Sequence, residues 1–233
     1  MKKYIPNTIT LLNLLSGCMA IYCAFRPLQY FGGTPGYMYA FYFILLAAAA
    51  DFCDGLCARL LGTYSDLGKQ LDSLSDLVSF GVAPAMLLMN LFEAGGAPRW
   101  ICMLCLAIPV AGALRLGRFN IDNSQATIFR GLPIPAAALF CIGLAAMTAE
   151  GRGVNLYAAA GCVIAISLLM VAPVNMYSLK FKSLAPKDNI LRYLLVVIAV
   201  VCISVWHWQG LFYLVAYYAV SAFAADLART FRA

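Results

Sequence analysis

Long apolar runs, interrupted at intervals by short polar stretches, organise this chain of 233 residues. Eight runs stand out, at about 5–25, 37–61, 69–92, 99–118, 132–149, 154–176, 190–206 and 209–228. A helix needs about 20 mostly apolar residues to cross the hydrocarbon core of a bilayer, and each run approaches that length. The pattern predicts an all-α, polytopic membrane helical bundle of about eight transmembrane helices. The last two runs are separated only by Trp206-His207-Trp208-Gln209-Gly210, so they read as a tight hairpin.

Composition agrees with lipid as the solvent. Hydrophobic residues make up 64% and charged residues 11%, against roughly 25% charged in an ordinary globular domain. The net charge of +6 would point to nucleic acid in a soluble protein; here the placement of the charges gives a different account. With eight crossings, thirteen of the sixteen Lys and Arg residues fall at or near one side, leaving Arg26, Arg99 and Arg152 for the other. That asymmetry assigns the first side, with both termini, to the cytoplasm of a cell membrane, and no nucleic-acid partner is expected. The first run carries Asn7 and Asn13 and has no small-residue cleavage site before Arg26, so it reads as a span and not as a cleaved leader. The nine cysteines lie almost wholly within the apolar runs and read as small packing residues. Cys102 and Cys105 have zinc-like spacing but no second pair to complete a site.

The acids change the picture from architecture to chemistry. Of ten acidic residues, five lie between positions 51 and 76. A carboxylate in a membrane helix costs at least a few kcal/mol and is functional by default. Asp51 and Asp54 stand at i and i+3, with Gly55 and Ala58 continuing their face; Gly68, Asp72 and Asp76 step by four along the next run. Two antiparallel helices joined by a short turn would direct four carboxylates at one another. Oxygen-only ligands suit Mg²⁺, Mn²⁺ or Ca²⁺, and four of them suggest two ions with phosphate oxygens completing the shells. Small residues on this face fit either close helix packing or a nucleotide lying against the backbone. A cation transporter would also use buried acids, but these cluster near one end instead of at the midplane.

The spacing Asp51-x₂-Asp54-Gly55-x₂-Ala58-Arg59-x₈-Gly68-x₃-Asp72-x₃-Asp76 resembles the signature of the CDP-alcohol phosphotransferase family. Three stretches resemble its phosphatidylserine synthase branch: Ile5–Thr10 with Asn13 and Gly17, Leu71–Pro84, and Leu114–Asn120 with Phe129–Ala136. The resemblance covers roughly residues 4–136. It implies a family core of six crossings, here 1–176, with 177–233 as an additional C-terminal hairpin. It implies Mg²⁺ or Mn²⁺, two per site, held by Asp51, Asp54, Asp72 and Asp76, with Asp76 also the general base. It implies CDP-diacylglycerol contacts at Asn7, Thr8, Ile9, Thr10, Gly55, Arg59 and Ser65, L-serine as acceptor, and a homodimer. Glycerol 3-phosphate or an inositol phosphate is the alternative acceptor. Arg115, Arg118 and Arg130 gather at one end of the fourth run, with Asn120 beside them. They read as acceptor-binding groups, Arg118 foremost, or as anchors reaching to lipid headgroups.

Overall fold

A computed structural model describes residues 4–63, 65–121, 129–151, 154–176 and 186–230; the side chains of 129–130, 186–189, 191–192 and 228–230 lie outside that description. The architecture is helical. Helices α1 (Tyr4–Ala24), α2 (Gly36–Leu61), α3 (Asp66–Ala94) and α4 (Arg99–Ile121) are each long and apolar enough to cross a membrane. Helices α5 (Ile134–Ala149) and α6 (Leu156–Val171), 16 residues each, are shorter. Helices α7 (Pro186–Trp206) and α8 (Gly210–Thr230) complete the chain, and the apolar stretch Tyr193–Leu227 runs through both. His207, at φ 51°, reverses the chain between them, and they pack side by side. The protein is therefore a multi-pass membrane protein.

Local chemistry explains the joints. A two-residue ribbon pairs β1 (Tyr30–Phe31) with β2 (Thr34–Pro35). Its turn residues Gly32 and Gly33 both have positive φ, as a tight hairpin of this hand requires. Gly62 ends α2 in the left-handed region at φ 61°; its N–H and that of Thr63 donate to the carbonyls of Arg59 and Ala58. Ser65 then caps α3, its Oγ accepting from the Gly68 N–H at 3.0 Å. Two well-made caps so close together force α2 and α3 to run antiparallel, which sets the acids of one against those of the other. Within α3, residues Leu77–Val82 form a wider π turn in which the Ala83 N–H reaches back to Val78. Pro84 follows directly and has no N–H to continue the regular ladder.

The bundle is organised around α5, which touches α2, α3, α4, α6 and α8. α1 lies against α2 and α3 on the other side. A second two-residue ribbon, absent from a purely helical expectation, pairs β3 (Phe129–Arg130) antiparallel with β4 (Asn175–Met176). It ties the connection before α5 to the end of α6.

Candidate active site

α1 presents its polar side inward. Pro6, Thr10, Asn13, Ser16, Gly17 and Ala20 are buried at helical spacing. Leu11, Leu12, Leu15, Met19 and Tyr22 are exposed, as lipid-facing residues can be. Four hydrogen bonds fasten this stripe to the acid-bearing helices. Thr10 Oγ1 donates to Asp54 Oδ2 at 2.5 Å, and Asn13 Nδ2 donates to Asp76 Oδ1 at 3.2 Å. Ser75 and Ser79 of α3 donate to the Thr10 and Asn13 carbonyls at 3.2 and 3.0 Å. Gly17 lies directly against Ser79, so no side chain fits there. Within a membrane each such bond contributes about 0.6 kcal/mol on average, but leaving one of these groups buried and unpaired costs more.

Oxygens of Asp51, Asp72 and Asp76 lie within 4.8 Å of one another. Three carboxylates, with no thiolate or imidazole among them, are the donor set of a hard divalent cation. The residues present therefore fit such an ion. Asp54 is buried beside them with its Oδ2 engaged by Thr10. The expected face-to-face set of four is thus three converging carboxylates plus one held from α1.

A cleft of about 510 Å³ opens beside these acids. Asn7 and Thr10 of α1, Asp54, Gly55 and Ala58 of α2, and Ser65, Gly68 and Asp72 at the start of α3 line it, with Thr63, Asp66 and Lys69. Of the expected segment Asn7–Thr10, Thr8 and Ile9 are not among the lining residues; a helix turns about 100° per residue, so only i and i+3 share the face. Thr8 bonds instead to the Tyr4 carbonyl. Arg59 folds back to donate to the Gly55 carbonyl at 2.9 Å and is not among the lining residues either. The two glycines separate the readings left open by the sequence. A Cβ on Gly55 would meet nothing within 4 Å, whereas one on Gly68 would crowd Ser65 Oγ and Asn7 Oδ1 at 3.0 and 3.1 Å. Gly55 leaves room in the cleft; Gly68 lets α1 approach.

A smaller cleft of about 210 Å³ adjoins the first and shares Lys69 and Asp72 with it. Asp76, Ser73, Arg115, Phe119, Asn120, Ile134 and Pro135 line the rest, with Leu116. Asn120 donates to Ser73 Oγ at 2.8 Å, and its carbonyl accepts from Lys69 Nζ at 3.0 Å. Among the described residues, the buried Nε of Arg115 has no hydrogen-bond partner. Arg118 donates to the Val171 carbonyl at 3.0 Å and is not among the residues lining either cleft. The Arg130 side chain lies outside the described residues.

A partly buried acidic cluster flanked by two clefts, one lined by small residues and one by an arginine, is the arrangement a phosphate-transferring membrane enzyme needs. The profile of the CDP-alcohol phosphatidyltransferase family matches residues 3–177. The chain belongs to that family.

Three relatives named CDP-diacylglycerol–serine O-phosphatidyltransferase illustrate the reach of the similarity. That of Methanocaldococcus jannaschii is 43% identical over 139 residues, 60% of this chain and 59% of the relative. That of Bacillus subtilis is 39% identical over 147 residues, covering 63% and 77%. That of Mycobacterium bovis is 31% identical over 208 residues, covering 85% and 68%. This chain thus spans only part of each. The family match reaches beyond residue 136, where the sequence motifs stop, to the end of β4.

Several residues of this site carry no motif signal strong enough to assign them a role. Thr63, Asp66 and Lys69 enter the larger cleft because the cap at Gly62 turns the chain there. Asn13 belongs to a stretch that carries the family resemblance, which assigns it no role, yet it is fully buried and bonded to Asp76.

Proposed function

We propose that this transferase moves the phosphatidyl group of CDP-diacylglycerol to L-serine, giving phosphatidylserine and CMP. The observation that carries the reading is the pair of adjoining clefts, which meet at Asp72 beside Asp76. The larger has the volume and small-residue lining for the cytidine and pyrophosphate, with Asn7, Thr10, Gly55 and Ser65 as contacts. The smaller suits a compact zwitterion. Its Arg115, whose buried Nε has no partner among the described residues, is a better match for the acceptor carboxylate than Arg118, which is engaged with Val171. Asn120 and Lys69 supply further polar atoms. The names of the relatives, from archaea and bacteria, also point to serine.

In this reading the serine hydroxyl oxygen bonds to the lipid-side phosphorus. The bond from that phosphorus to the bridging oxygen breaks, and CMP departs with the electron pair. Asp76 accepts the hydroxyl proton, since a hydroxyl is a poor nucleophile at neutral pH without a base in reach. Asn13, bonded to the other face of that carboxylate, keeps it aimed. Asp51, Asp54, Asp72 and Asp76 would hold two Mg²⁺ or Mn²⁺ ions, which when bound neutralise charge developing on the phosphate oxygens. The proposal includes eight crossings with the site and both termini at the cytoplasmic face, on the strength of the positive-inside bias. It also includes a homodimer, as the family resemblance implies.

Purified enzyme in mixed micelles, given CDP-diacylglycerol with either labelled serine or labelled glycerol 3-phosphate, tests the acceptor. Serine should be converted with release of CMP and glycerol 3-phosphate should not. Preferential conversion of glycerol 3-phosphate would transfer the reading to the phosphorylated acceptors.

A further inference from the structure

The C-terminal helix reaches the smaller cleft through a chain of contacts whose first two members, Asp226 and Asn175, lie outside the sequence motifs. Asp226, half-buried near the end of α8, holds Asn175 of β4 with both carboxylate oxygens. Oδ2 accepts from the Asn175 backbone N–H at 3.3 Å, and Oδ1 accepts from its Nδ2 at 2.9 Å. Asn175 is paired with Arg130 in the β3–β4 ribbon. The next residues continue the attachment: the Gly131 N–H donates to the Val174 carbonyl at 2.9 Å, and the Leu132 N–H to the Leu169 carbonyl at 3.1 Å. Gly131, at φ 75°, lies so close to the Met170 carbonyl that a side chain could not be accommodated. Two residues beyond Leu132 come Ile134 and Pro135, which form a wall of the smaller cleft. Ile134 is fully buried, its Cδ1 seated against Gly112 of α4 and within reach of Gly81 of α3.

We propose that Asp226 is a positioning residue for the acceptor, fixing β4, through β4 the β3 connection, and through that connection the Ile134–Pro135 wall. The hairpin formed by α7 and α8 then sets acceptor affinity from outside the acid-bearing helices. Its effect falls on one substrate only. The larger cleft is built by α1, α2 and the start of α3, none of which this chain of contacts includes. As an inference about serine it rests on the acceptor reading above.

The experiment compares KM values for serine and for CDP-diacylglycerol in wild type, Asp226→Ala, Asn175→Asp, and the swap Asn175→Asp with Asp226→Asn. Asp226→Ala should raise the serine KM about five- to tenfold and leave that for CDP-diacylglycerol within about twofold. Asn175→Asp alone sets two carboxylates face to face and should be at least as damaging. The swap exchanges donor and acceptor across the same pair and should return the serine KM to within about twofold of wild type. Amide hydrogen exchange at Gly131 and Leu132 should quicken in Asp226→Ala and slow again in the swap. Equal changes in both KM values, or a swap no better than Asn175→Asp, would overturn the proposal. Should wild type decline serine, the acceptor reading fails by itself. The exchange rates then decide the positioning role, and unchanged rates in Asp226→Ala would reject it. A poorly folded Asp226→Ala leaves the swap against its single variant as the deciding pair.

Discussion

α1 and α5 are both apolar helices of one bundle, and they bury opposite things. α1 hides Thr10, Asn13 and Ser16 and turns leucines outward, Leu15 being 57% exposed. α5 buries Ile134, Phe140, Ile142 and Leu144 along with Ala137, Ala138, Ala145 and Ala146, and touches five other helices. In water the two would be ranked by hydrophobic area removed from solvent. In lipid that ranking fails, because hydrocarbon tails solvate leucine as well as a protein interior does. What decides orientation is which side chains need partners. α1 has such side chains and so faces the acids; α5 has few and serves as the packed axis.

The sharpest break in that contrast is at the acids themselves. Asp76→Asn should lower turnover by about a thousandfold or more in detergent-purified enzyme while CDP-diacylglycerol binding largely survives, as expected on loss of a general base. Turnover within a few-fold of wild type would remove Asp76 from that role. Next, exhaustive chelation with EDTA should abolish activity, with Mg²⁺ or Mn²⁺ restoring it and Zn²⁺ serving poorly, because the donor set is all oxygen. Activity measured through a chelation and add-back series checks this.

On α1, Asn13→Ala removes the bond that aims Asp76. It should reduce kcat about 10- to 100-fold, the range for groups that orient a ligand, with smaller change in either KM. On α5, Leu144→Ala should act on stability alone. Roughly 1–3 kcal/mol of packing is lost from a site 2% exposed, below the soluble-core range because lipid also solvates the exposed leucine. A lowered midpoint of thermal inactivation, with unchanged kinetic constants for the folded fraction, would fit. Smallest of all, Leu15→Ala on the exposed face of α1 should shift stability by less than about 0.5 kcal/mol and leave kcat alone. A large loss there would mean that this face meets protein, for instance a second copy of the chain, and not lipid.

The apolar runs gave the helices to within a few residues at most ends, since length and charge are what a bilayer selects. Asp51, Asp54, Asp72 and Asp76 were legible because a carboxylate in such a run has few reasons to be there. Only the packed chain decided the rest. It turned Arg59 back onto Gly55 and Arg118 onto Val171, leaving Arg115 to line the smaller cleft. It engaged Asp54 with Thr10 and gave Asn13 to Asp76 across a separation of 63 residues. It also brought Asp226 to Asn175, coupling the last helix to the cleft wall. Local sequence fixes which residues share a helix face, because the 3.6-residue period is intrinsic to the backbone. Which partner meets that face depends on how the helices cross, and a long arginine can satisfy its donors on its own helix or on another one.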